Sequence, residues 1–249
     1  MNIFFLQYRR RQVRLRSPYK LADASDCVGD SSYCSPVLVN DDPMVYRFLT
    51  ETYLNWVHDP NCDENYNLSI PIGGEDRNVT FMRDDSVGDP KDPTDQYDNI
   101  QEINAPEGTD VFFPVYYFHS SIGEGHCESL KDCVEVAEKD LGKIDTTWAK
   151  ISRDDGSTWQ DITTNLADYN VAFPLNPDDP GDSSITVTVG NNNRVNREPE
   201  YHLGPGPHEG AVLGTFMYLR NFKKGKYIFD FGGNASNFST RSVYTMHVA

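Results

Sequence analysis

The chain has 249 residues, 38% of them apolar, with 38 acidic against 22 basic side chains for a net charge of −16. A body this negative repels phosphate backbones and anionic membranes, which argues against nucleic acid as a partner. No stretch approaches the ~20 consecutive apolar residues of a membrane helix, and 18 glycines with 15 prolines commit much of the length to turns.

The first 20 residues hold Arg9, Arg10, Arg11, Arg14, Arg16 and Lys20 and no acid. The rest is therefore more acidic than the total suggests, at 16 basic against 38 acidic groups. Ile3–Leu6 is a four-residue apolar run with arginines after it rather than before it, the reverse of a secretory signal. The rest of the chain reads as exported, so its signal is expected upstream of Met1. Residues 1–41 read as a basic, irregular arm. Within it Gln12–Arg16 alternates as a strand does and suits strand addition to a second copy, giving a homo-oligomer or filament.

Residues 42–249 are expected to form one domain. Asp42-Pro43 opens a helix over 42–57, with Val45, Phe48, Leu49, Thr52, Tyr53 and Trp56 at helical spacing and Asp59-Pro60 after it. An acidic, asparagine-rich stretch over 61–104 carries one clear strand, Asn78–Met82. Asp110–Phe118 is the strongest strand signal, and its internal Pro114 predicts an edge position or a bulge. A second helix over 128–141 places Leu130, Cys133, Val134, Ala137 and Leu141 on one face and stops at Gly142.

From Ile144 onward the rhythm is two residues rather than three to four. Ile144–Ser152 and Thr158–Ile162 flank Asp154-Asp155-Gly156, a hairpin signal. Tyr169–Phe173 and Ile185–Val189 follow, and Gly190–Gly210 reads as a loop. Gly214–Leu219, Tyr227–Phe231 and Ser242–Val248 close the chain. Tyr227, Phe229 and Phe231 share one face, and Tyr244, Met246 and Val248 oppose Val243, Thr245 and His247. The expectation is a mainly β fold, a β-sandwich or jelly-roll of antiparallel strands with two short helices and long acidic loops.

Three segments resemble a family of uncharacterised secreted microbial β-sandwich proteins. They are the Pro106-x-Gly108…Phe112-Phe113-Pro114-Val115 strand, the hairpin at Asp155-Gly156, and the ending Phe216–Gly232, with Gly225-Lys226-x-Ile228-x-x-Phe231 in it, and Val243–Val248. The resemblance spans about residues 44–249 and implies a secreted sandwich preceded by a helix, without implying an activity.

Five cysteines occur. Cys27 with Cys34, and Cys127 with Cys133, are spaced for small-loop disulfides, leaving Cys62 outside that scheme or in a different one. Asp89, Asp92, Asp95 and Asp98 recur every third residue and offer the hard oxygens calcium takes. His119, His126 and Cys127 with Glu124 have transition-metal ligand chemistry, set against a plain loop with Cys127 in a disulfide. His202 and His208 flank a rigid Gly204–Pro207 loop. Asn67, Asn78, Asn234 and Asn237 open Asn-x-Ser/Thr sequons, the last two expected on an exposed loop between the final strands. Tyr116, Tyr117, Trp148 and Trp159 have the ring faces that stack on sugars, although alternation sends some of them into the core. Acid pairs such as Glu200 and Glu209 suit a glycosidase, but no nucleophile motif is present.

These features favour a secreted or cell-surface sandwich with a non-catalytic structural, adhesive or assembly role. A calcium-assisted carbohydrate-binding module comes second and a carboxylate-dependent glycoside hydrolase third.

Overall fold

The computed structural model describes residues 43–59, 61–62, 65–83, 99–124, 127–153, 155–162, 170–174, 185–190, 204–235 and 239–249. The basic arm, and with it the strand-addition segment, lies outside them.

Strands β1 (Asn67–Ile72), β2 (Glu75–Phe81), β4 (Asp110–Ser121), β9 (Gly206–Leu219) and β7 (Asn170–Phe173) form a first sheet in that order. Strand β8 (Ile185–Val189) also pairs with β9. A second sheet runs β3 (Asn99–Ala105), β11 (Ser239–Val248), β10 (Gly225–Ala235), β5 (Ile144–Ser152) and β6 (Gln160–Asp161). The protein is thus mainly β, with its strands in two packed sheets. Seven of the nine described strand pairs are antiparallel as expected. The exceptions are β2 with β4 and β3 with β11, which run parallel.

The two-residue rhythm decides what each strand buries. Val111, Phe113 and Val115 of β4, with Met217 and Leu219 of β9, meet Ile151, Phe229, Phe231, Tyr244 and Met246 of the second sheet. The opposite face of the first sheet presents Phe112, Phe216 and Tyr218 to helix α1 (Pro43–Val57). A sheet covered on both faces needs apolar residues at every position, which is why β4 and β9 read as continuous apolar runs.

Helix α1 buries Tyr46, Leu49, Thr50, Tyr53, Leu54 and Trp56. That stripe is turned one residue from the expected one, leaving Phe48 at the surface with 37% exposure. Ring packing selects it: Tyr53 sits edge-on among Phe81, Phe112, Tyr117 and Phe216. Asn55 completes the dock by bonding the β8 backbone, donating to Thr186 O and accepting from Thr188 N.

Pro114 lies in a central strand, not an edge, and it is accommodated by a bulge. The β4–β9 register shifts between Pro114 and Tyr116. Pairing with β2 has already ended at Phe112, so no β2 carbonyl is left waiting for the missing N–H. The bulge also swaps faces beyond it, turning Tyr116 toward Gly233 of the second sheet and Tyr117 toward α1.

Helix α2 (Leu130–Leu141) covers the far end of β4 and β9, packing Cys133 and Ala137 on Ala211 and Leu213. Ser129 caps its start by accepting from Asp132 N. Gly142 ends it with a right-handed φ of −64°, so the stop uses the glycine N–H on Glu138 O rather than a left-handed turn.

At the other end of the first sheet Asp110 is fully buried. Arg77 grips both its oxygens, from Nε at 2.5 Å and Nη2 at 2.6 Å. The Tyr218 hydroxyl donates to Oδ2 at 2.7 Å and Asn221 N to Oδ1 at 2.8 Å. Four donors satisfy the carboxylate, and its hydrogen bond holds the Arg77 guanidinium proton more tightly than usual. Burial, with the Asp110 charge and hydrogen bond, pushes the Tyr218 phenol well above its ordinary range. Asp110→Asn breaks the forked ion pair and leaves Arg77 half-buried without a counter-charge. Urea unfolding is expected to show a loss of about 3 kcal/mol, and the Tyr218→Phe change a loss of about 1 kcal/mol.

Candidate functional site

The alternation that buries Phe229 and Phe231 turns Ile228, Asp230 and Gly232 to the outer face of the second sheet. Gly232 is flanked there by Trp148 on β5 and Arg241 on β11. In the next row Asp230 lies between Lys150 and Val243.

Asp230 points outward yet is only 2% exposed, because neighbouring side chains cover it. Trp148 Nε1 donates to Oδ1 at 2.9 Å. Arg241 donates from Nε at 3.2 Å and from Nη2 at 3.0 Å, and Lys150 Nζ sits 3.1 Å from Oδ2. Burial alone raises the carboxyl pKa, but these bonds from Arg241, Trp148 and Lys150 outweigh it and hold the group below its ordinary value. Asp230 is therefore an anchor that fixes the indole and two cations, not a proton donor.

The Trp148 ring is half-buried against the sheet. Trp159 is 37% exposed, with the Lys150 ammonium 4.8 Å from its ring centroid. Behind Trp159 the hairpin signal at Asp155-Gly156 is realised, both residues having positive φ (56° and 83°). A side-chain carbon at Gly156 would lie 3.5 Å from Trp159 Cζ2, so the turn backs the ring. The result is a sheet face carrying two tryptophans with cations held in place beside them. Such a face can stack on a flat apolar ring surface and donate charged hydrogen bonds around it.

Of the four aromatics expected to stack on sugars, only these two tryptophans reach the surface of a sheet. Tyr116 is buried at 3% exposure between the sheets, and Tyr117 packs beneath α1. Cys127 is bonded to Cys133, which removes its thiolate from metal chemistry. Cys62 is buried with Arg83 Nη1 3.4 Å from its sulfur. Cys27, Cys34, the calcium candidates Asp89, Asp92, Asp95 and Asp98, and also His126, His202, Glu200 and Asn237 lie outside the described residues. Among the described residues no group of three or more His, Cys, Asp or Glu is arranged to hold a metal ion, and no helix is long and apolar enough to cross a membrane.

The structure assembles a histidine group that spacing did not indicate. His119 on β4 lies under His58 at the end of α1, their ring centroids 6.3 Å apart, with His208 of β9 nearby. His58 Nδ1 is 2.6 Å from Leu54 O and His208 Nε2 is 2.6 Å from Gly204 O. His119 Nε2 is buried without a hydrogen-bond partner. Burial, reinforced by His58 and His208, lowers the His119 pKa to about 3. The unfolded chain takes up this proton near the ordinary value of 6.5 and the folded chain does not. Stability is therefore full above pH 6.5 and falls as pH drops toward 3. Thermal melts between those limits are expected to show the fall, and His119→Leu to flatten it.

Three sequons have a described asparagine. Asn67 uses both side-chain atoms, donating to Asn104 O at 2.8 Å and accepting from Thr80 at 2.6 Å. Asn78 is exposed on β2, and Asn234 lies exposed on β10 itself rather than in the loop after it, its Nδ2 3.3 Å from Thr146 Oγ1. Expression in a glycosylating host followed by peptide mapping is expected to find sugar on Asn78 in preference to Asn67.

No family model matches the chain, and neither a curated protein nor a solved structure does.

Proposed function

We propose that this protein is a non-catalytic, secreted or cell-surface β-sandwich that adheres to carbohydrate through the outer face of its second sheet. The observation that carries the reading is the Trp148–Asp230 hydrogen bond, which fixes an indole on an open sheet beside two anchored cations. Aromatic platforms preset in one orientation lose little entropy when a sugar ring stacks on them. The sequence features of an exported chain, namely the Cys127–Cys133 disulfide, the acidic body and the sequons, agree with this role. So does the resemblance to secreted sandwich proteins.

The hydrolase reading finds no support in the buried carboxylates. Asp110 is fully engaged by Arg77, Tyr218 and Asn221, and Asp230, held ionised by its cations, has no proton to pass to a leaving group. Calcium plays no part in this reading of the face, where Asp230 is already taken by Lys150 and Arg241.

The test is retention on insoluble polysaccharides together with a glycan array. Trp148→Ala and Trp159→Ala are each expected to weaken binding about tenfold, the effect of a ring contact worth roughly 1.4 kcal/mol. Capture of no polysaccharide by the folded protein would refute the reading.

A further inference from the structure

Resting on that reading of the sheet face, we infer that the carbohydrate it takes is a neutral, extended polysaccharide of β-1,4-linked sugars, held along its length rather than at a chain end. Two features carry this: the balance of charge on the face, and the way the two tryptophans are set along β5.

The outer face of the second sheet is electrically even. Lys150, Lys226 and Arg241 are met there by Glu102, Asp161 and Asp230. The balance is also local. Lys150 and Arg241 bond Asp230, Lys150 stands beside Asp161 on β6, and Lys226 bonds Asp155 of the neighbouring turn. A charged polymer finds no surplus of opposite sign here, and the net −16 of the chain repels a polyanion at longer range. A neutral sugar breaks none of these pairs. Its hydroxyls accept from the open sides of Lys150 and Arg241, whose side chains are 37% and 45% exposed.

The tryptophans lie in a line along the strand. Trp159 precedes Gln160, the β6 partner of Ile151, so it stands beside Ser152, four residues along β5 from Trp148. At that offset their Cα atoms are about 14 Å apart. Asp230 and Lys150 fill the interval, Asp230 bonded to Trp148 Nε1 and the Lys150 ammonium set against the Trp159 ring. One pyranose cannot reach both indoles, so contact with both needs consecutive sugars in a straight run. A β-1,4 linkage through equatorial bonds gives such a run, a flat ribbon whose ring faces can stack on indoles. An α-1,4-linked glucan coils away from the line.

The intact chain is titrated with the disaccharides and hexasaccharides of cellulose, β-mannan and chitin, and with amylose and polygalacturonate. The hexasaccharide of at least one β-1,4 series is expected to bind roughly tenfold or more tighter than its disaccharide, with little change as salt is raised. Trp148→Ala and Trp159→Ala are each expected to bring the hexasaccharide down to the strength of the disaccharide. Trp159 stands at the surface, so its variant keeps the test open where loss of the Trp148–Asp230 bond disturbs folding.

A disaccharide binding as tightly as its hexasaccharide overturns the extended chain and leaves the sugar platform standing. Amylose ahead of every β-1,4 chain overturns the linkage, and polygalacturonate ahead of them overturns the neutral charge. Absence of binding to every carbohydrate overturns this inference and the proposed function together.

Discussion

The fold depends on one constraint: the β4–β9 ladder has no free face. One side must be closed by α1 and the other by the second sheet, so neither cover is optional. The closures both use aromatic ring packing, with Tyr53 edge-on at the centre of one and Phe113 meeting Phe229 edge-on and Phe231 at a tilt in the other. Because adjacent residues of β4 serve opposite layers, the Pro114 bulge sets which layer Tyr116 and Tyr117 join.

Two buried carboxylates divide the work differently. Asp110 takes one guanidinium, a phenol and a backbone N–H, all from the first sheet or the turns beside it, and ties the sheet's end together. Asp230 takes an indole and two cations from the two strands that flank it, β5 and β11, and arranges a surface. The first is saturated by neutral donors around a single cation. The second takes two cations at once, Lys150 and Arg241, at the surface of its sheet.

Much of the architecture was legible because period-2 alternation survives wherever only one face is buried. Ile185–Val189, Ile144–Ser152 and the inward set of β10 and β11 follow from it directly. Strands β1 and β3 were missed: their polar outward positions, and Pro71 in β1, dilute the pattern. The start of β9 read as loop because Gly206–Glu209 is polar and pairs only with β8. The α1 stripe was misplaced by one residue because Phe48 and Tyr46 are equally plausible core residues until the rings beneath the helix are known. Both tryptophans of the candidate site were visible in the sequence. Their partners were not, although one signal was present: Asp230 stands alone among aromatics in Tyr227–Phe231, where a charge needs a reason.

The last strand has a consequence for load. Strand β11 is held on one side by β3 over seven residue pairs, Ser242–Asn99 to Val248–Ala105, and the two run parallel. Tension applied between the start of β3 and the chain's end drags those strands lengthwise past each other, so the rungs must fail together rather than unzip singly.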